Sequence, residues 1–290
     1  MALNLGRVYV TSLGILPQGV PSTNVYKNLL KASFFREMES FSNVFLSANS
    51  KKLKGYSSHW VADPFHQWSR QWEYPFTYSH IQGFPPVQRK EEVRILDAGS
   101  GCTFFPYYLS HKLPNCHVFC CDKDSILATV FAGIDKKNER VEFKTQNLGE
   151  LDYEDFFFDI IYCISVLEHS KEINETIKQF KRVLKPRGLM ILTFDISLDN
   201  NTEIPSETAQ DLLNMIDRTF VRVVGSSTQT ISQSIHEPEI LSTEFAKKLD
   251  EGLLPWRTTL GSMLSQLRKL RIPKKPFFNL TVFCGAWLNQ

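Results

Sequence analysis

The chain has 290 residues, of which 42% are hydrophobic and 22 are Phe, with 33 Lys and Arg against 31 Asp and Glu. A formal net charge of +2 is too small to mark a polyanionic partner, so a dedicated nucleic-acid binder is excluded as the default. The length is ample for a core that needs no disulfide or metal staple, and the composition is not that of a disordered or fibrous chain.

In chain order, residues 1–24 are irregular, broken by Gly14, Pro17, Gly19 and Pro21. Between 25 and 47, Leu29, Leu30, Phe34, Met38, Phe41 and Phe45 fall at helical spacing and predict an amphipathic helix. The stretch 56–90 is dense in aromatic residues and histidine, including Tyr56, Trp60, Trp68 and Trp72, and closes on Gly83, Pro85 and Pro86. It reads as a lid or pocket wall ahead of the main domain. From 93 onward, short apolar runs alternate with helical segments, the pattern of a parallel sheet covered on both faces. Strands are predicted at 93–98, 117–122, 141–145, 158–164, 189–194, 220–224 and 280–285, with helices at about 104–112, 124–133, 171–184 and 206–218. Pro186-Arg187-Gly188 supplies a turn before the fifth strand.

The expected fold is therefore α/β, a doubly wound, Rossmann-like, seven-stranded and mostly parallel sheet. Residues 1–90 form an N-terminal helical and aromatic lid region, and 91–290 form the main domain. Residues 225–276 exceed an ordinary loop, and Leu260, Met263, Leu264, Leu267 and Leu270 share one helical face. This insertion is expected over the carboxyl ends of the strands, where ligands of open α/β sheets bind.

The segment Val-Arg-Ile-Leu-Asp97-Ala-Gly99-Ser-Gly101-Cys-Thr103 is a strand running into a glycine turn and then a helix. Gly99 and Gly101 admit positive φ and close backbone approach, while the helix start offers free N–H groups. The third glycine of a dinucleotide fingerprint falls at Phe104, which argues against NAD or FAD. Asp97 at the first strand end suits a cationic amino group, and Asp122 at the second suits a ribose diol. Amine, ribose and base together describe S-adenosylmethionine.

On ILDAGSG, CCDKD, TQNLGEL, FDIIYCISVLEHS and VLKPRGLMILT, five motifs in order, the chain resembles the class I S-adenosylmethionine-dependent methyltransferases of small-molecule type. The resemblance covers roughly 93–224 and 280–287. It implies that Asp97, Gly99 and Gly101 meet the methionine end, Asp122 the ribose hydroxyls, and Asn147 and Leu148 the adenine. Asn147-Leu148-Gly149 equally suits an Asx turn. Thr103 stands where many members carry a third glycine, and its hydroxyl is suited to cap the next helix. His169, following the fourth strand, is the best-placed general base; the competing reading is that Glu168 and His169 only orient their loop. Ser165 stands where some related quinone-pathway enzymes place a metal-holding acid, so no metal is expected. The segment Ser69 to Pro75 resembles an aromatic lead-in of some bacterial small-molecule methyltransferases. There Arg70 suits the methionine carboxylate and Tyr74 the sulfonium, against the alternative of an aromatic cluster stitching the N-terminal helix to the domain.

His59, His66 and His80 lack metal-ligand spacing, and the six cysteines form neither a disulfide framework nor a zinc pattern. Arg268, Lys269, Arg271, Lys274 and Lys275 form a basic run of the kind usually found on a solvated face. With no membrane-spanning run and no secretory pattern at the N-terminus, the expected location is cytoplasmic. The expected activity is methyl transfer from S-adenosylmethionine to an O or N atom of a small-molecule acceptor. An RNA or protein methyltransferase, or a non-catalytic cofactor-binding module of the same fold, stands as the alternative.

Overall fold

The computed structural model describes residues 14–57, 64–134, 139–199, 204–223, 230–254 and 278–290. Ser22 opens the first helix, its side chain accepting from the Val25 N–H, and α1 runs over Thr23–Leu29. The helix expected at 25–47 is in fact two. Short-range bonds from Lys31 to the Asn28 carbonyl and from Ala32 to the Leu29 carbonyl close α1, the Arg36 guanidinium caps the Lys31 carbonyl, and α2 begins afresh over Ser33–Ser57.

The aromatic stretch folds as α3 (Arg70–Gly83) and the short α4 (Pro85–Gln88). Residues 71–81 of α3 are all buried, so the helix carries no polar stripe and no periodicity announces it.

The remaining elements are β1 (Val93–Ala98), α5 (Phe105–Lys112), β2 (Cys116–Asp122), α6 (Ile126–Gly133), β3 (Val141–Thr145), β4 (Phe158–Ile164), α7 (Ile173–Val183), β5 (Leu184–Ser197), β6 (Ile204–Pro205), α8 (Ser206–Thr219), β7 (Val221–Arg222), α9 (Ile231–Ile235), α10 (Thr243–Leu249) and β8 (Leu280–Leu288). The sheet order is β3-β2-β1-β4-β5-β8-β7, with β6 added beside β5. All pairings are parallel except those of β8, which runs antiparallel to β5 from Leu288 at Leu189 to Leu280 at Ser197 and pairs antiparallel with β7. The doubly wound, mostly parallel sheet thus stands as expected, with β6 as an addition and β7 shortened.

Alternation along the strands feeds two cores. Ile95, Cys120, Ile160, Tyr162 and Ile191 join the core that holds α2, α3 and α5. Leu96, Cys121, Ile161, Cys163 and Leu192 join the core under α7 and α8, where Ile177, Phe180 and Val183 are the apolar face of α7.

The Pro186-Arg187-Gly188 turn is absorbed into β5 as an irregularity. Arg187 has φ +63°, and the register against β4 jumps from Phe158 at Leu184 to Ile160 at Leu189. Arg187 N–H donates to the Asn289 carbonyl at 2.9 Å and Asn289 N–H to the Gly188 carbonyl at 2.9 Å, so the turn is pinned by the end of β8. On the same strand, Gly19 bridges Cys284. Gln18 spans the gap beyond β7, its amide donating to the Val223 carbonyl and its Oε1 accepting from the Ala286 N–H.

Of the expected insertion, 230–254 carries α9, α10 and a 3₁₀ turn at Glu251–Leu253. The helical face expected from Leu260 to Leu270, the basic run from Arg268 to Lys275, and His59 and Trp60 lie outside the described residues. Among the described residues no helix is long and apolar enough to cross a membrane.

Candidate active site

At the carboxyl end of β1 the chain turns through Gly99 (φ +77°) and Gly101 (φ +51°). The turn is tied to β2: Gly99 and Ser100 N–H groups donate to the Cys121 carbonyl at 2.9 and 3.0 Å. The Asp122 carboxylate accepts the Gly101 N–H at 3.1 Å through Oδ2 and the Asp124 N–H at 3.0 Å through Oδ1. A Cβ on Gly99 would sit 2.6 Å from the Val166 methyls, and one on Gly101 would run into the Tyr56 hydroxyl. Only bare backbone fits at either position. Thr103 Oγ1 accepts the Phe105 N–H at 3.3 Å, the expected cap. Phe104, where a dinucleotide fold needs glycine, is buried against Phe65 and Tyr74.

The turn is one wall of a cavity of about 580 Å³ that runs along the carboxyl ends of the strands. Of the residues singled out from sequence, Arg70, Tyr74, Gly99, Gly101, Asp122, Asn147, Leu148 and His169 line it. Asp97 does not. The parallel register sets it between Cys120 on β2 and Tyr162 on β4, beneath the floor. There burial, opposed by the Tyr162 hydroxyl and aided by the Asp122 carboxylate, pushes its carboxyl up to about 8.

Asn147 makes the Asx turn that was its alternative reading: Oδ1 accepts the Gly149 N–H at 3.3 Å, while Nδ2 donates to Glu172 at 3.3 Å. Both it and Leu148 still border the cavity. His169 ends a 3₁₀ turn, Leu167–His169, with an exposed side chain at the cavity rim. Tyr74 is buried beside Phe104 and Phe105, and that burial raises its hydroxyl pKa.

The inner wall holds a polar cluster that the sequence reading did not assemble. Arg70 Nη1 pairs with Glu73 and donates to Ser165 Oγ at 2.5 Å. Glu73, fully buried, also accepts from Ser165 Oγ at 2.7 Å and from Thr193 Oγ1 at 2.5 Å. Burial pulls the Arg70 pKa down, and the neighbouring Glu73, Tyr74 and Asp195 push it further up, so the net shift is upward. Glu168 Oε1 accepts the Asp195 N–H at 3.1 Å; burial, then the Asp195 carboxylate, pushes the Glu168 carboxyl well up. Asp195 borders the cavity, as do Tyr56, Trp68, Thr243 and Leu254.

Two of these had a signal in the chain. Asp195 follows the apolar run of β5 as Asp97 and Asp122 follow theirs, and Glu73 is the one acid within the aromatic stretch 65–78. Among the described residues no group of three or more His, Cys, Asp or Glu side chains is disposed to hold a metal ion.

Sheet order, glycine turn and strand-end carboxylate define the Rossmann-like methyltransferase fold. Residues 96–192 match the family model described as a methyltransferase domain.

The chain is 26% identical over 143 residues to a glycine/sarcosine/dimethylglycine N-methyltransferase of Actinopolyspora halophila, covering 48% of this chain and 24% of that one. It is 27% identical over 130 residues to an uncharacterised protein of Synechococcus sp., covering 44% and 30% respectively. The chain thus spans about a quarter of the first relative's length and less than a third of the second's. Among solved structures, a protein of Pyrococcus horikoshii is similar with a TM-score of 0.45 and 13% identity, over 82% of this chain and 99% of that one.

Proposed function

We propose that the protein transfers a methyl group from S-adenosylmethionine to an oxygen or nitrogen of a small-molecule acceptor. The observation that carries this reading is the Cβ-excluding glycine turn bonded to Asp122 on a single cavity, within the segment that matches the methyltransferase domain. The cavity volume lies within the range of small-molecule sites.

In this reading Asp122 faces the ribose hydroxyls, while Asn147 and Leu148 border the adenine. The Gly99–Gly101 backbone lies along the methionine chain, Arg70 faces its carboxylate, and Tyr74 flanks the sulfonium. The Asp97 carboxyl, between Cys120 and Tyr162, lies off the cavity lining. When bound, S-adenosylmethionine supplies a methyl group on a sulfonium that departs as a neutral thioether.

The chain's own contribution is then alignment and water exclusion. The glycine turn and Asp122 fix one reactant, and Trp68, Thr243 and Leu254 wall off the space opposite. An imidazole nitrogen of His169 accepts the acceptor's proton. The N-terminal region, through Trp68, and the segment 230–254, through Thr243 and Leu254, read the acceptor. Similarity to the Actinopolyspora glycine/sarcosine/dimethylglycine N-methyltransferase supports a nitrogen nucleophile.

Titration calorimetry with S-adenosylmethionine, S-adenosylhomocysteine and NAD tests the reading. Both adenosyl compounds are expected to bind at micromolar strength and to raise the melting temperature by mass action. Binding of NAD without either of them would overturn it.

A further inference from the structure

We propose that Glu73 is a positioning residue, which holds the Arg70 guanidinium at the cavity wall as the receptor for a ligand carboxylate. This rests on the reading that Arg70 faces the methionine carboxylate.

A buried acid–arginine pair contributes little net stability, because the desolvation of both charges offsets their attraction. Its geometric consequence is larger. Glu73 accepts from three groups on three elements: Arg70 on α3, Ser165 just past β4, and Thr193 on β5. The carboxylate therefore cannot rotate without breaking bonds to two strands. Ser165 is itself held at φ +48°, a conformation that costs a non-glycine residue about 1 kcal/mol or more. Its N–H is bonded to both the Thr193 carbonyl and Oγ1, so the hydroxyl that touches both Glu73 and Arg70 is fixed as well.

Among the described residues Arg70 hydrogen-bonds through Nη1 alone. The rest of its fork, with 19% of the side chain exposed, is at the cavity wall. One corner of a planar five-donor group is anchored, and the remaining donors face the space where a planar carboxylate would be received. Asp195, also on the wall and close enough to act on the Arg70 charge, is the competing partner. Without the Glu73 anchor the guanidinium would turn toward it.

The test compares the dissociation constants of S-adenosylhomocysteine and of its decarboxylated analogue, by calorimetry, in the parent, Glu73→Gln and Ser165→Ala. The parent is expected to prefer the carboxylate-bearing ligand about tenfold or more, the scale of hydrogen bonds between charged groups. In Glu73→Gln the preference is expected to collapse toward unity while affinity for the analogue stays within about twofold. Equal weakening of both ligands marks a merely structural residue and overturns the proposal. Should Glu73→Gln fail to fold, Ser165→Ala carries the test: a reduced preference supports the proposal, an unchanged one overturns it. A parent that binds both ligands equally well leaves the cofactor reading standing and removes the Arg70–Glu73 receptor. A parent that binds neither ligand removes both.

Discussion

Asp122 serves two purposes that a single substitution separates poorly: its oxygens close the glycine turn, and its position faces the proposed ribose. Asp122→Ala is expected to weaken S-adenosylmethionine binding by about 1–3 kcal/mol; equal calorimetric affinity in variant and parent would take Asp122 out of the site. Asp97 is a residue of a different kind. With its carboxyl raised to about 8 from an unfolded value near 4, the folded state holds a proton that the unfolded chain has lost. Its contribution to stability is therefore greatest below pH 4 and declines as pH rises to 8. Asp97→Asn, neutral throughout, should lose less melting temperature than the parent between pH 5 and pH 8. His169 stands at the cavity rim and, in the proposed reading, serves the acceptor side. His169→Gln is expected to lower turnover about 10²-fold with cofactor affinity unchanged, and parallel losses in both would reassign it to the donor side.

Among the elements, those bounded by strong punctuation were legible before the structure. β1 and β4 begin and end where their apolar runs do, because a parallel strand covered on both faces must be largely apolar on both, while the edge strand β3 showed itself by the alternation of Val141 and Phe143 with Glu142 and Lys144. α3 was not legible as a helix, since a helix buried on every side has no polar face to set a period. The same opacity hid Glu73: its role comes from Ser165 and Thr193, 92 and 120 residues away, and no local pattern encodes such a meeting. The glycine turn was the opposite case, because the positive φ of Gly99 and Gly101 is announced by the glycines themselves. β5 shows the limits of punctuation, as Pro186-Arg187-Gly188 ended no strand but bent one. Arg187 there sits at φ +63°, where glycine is unstrained. Arg187→Gly should raise stability by up to about 1 kcal/mol, read as an increase in melting temperature. Gly188→Ala is barred, since its Cβ would meet the Lys185 carbonyl at 2.8 Å.

Across the whole molecule, the two cores are joined through one sheet whose far side is completed by the N-terminal segment. Gln18 makes that seam, bonding Val223 and Ala286 from 205 and 268 residues away. Gln18→Ala removes both bonds and leaves partly buried backbone groups without them; a loss of about 1–3 kcal/mol in denaturant unfolding is expected, and an unchanged midpoint would show the seam to be incidental.

The placement of β8 also dictates an order of assembly. The strand made last, Leu280–Leu288, lies between β5 and β7, and residues near the start of the chain pair with it at Cys284. During synthesis the sheet therefore waits with the β5 edge open until residue 288 has emerged, and only then can the segment at Gly19 dock. Closing so long a loop carries most of its entropic cost before any contact rewards it. The nascent protein passes through a stage with β1 to β6 paired and the apolar β5 edge uncovered, a stage in which a chaperone would find it.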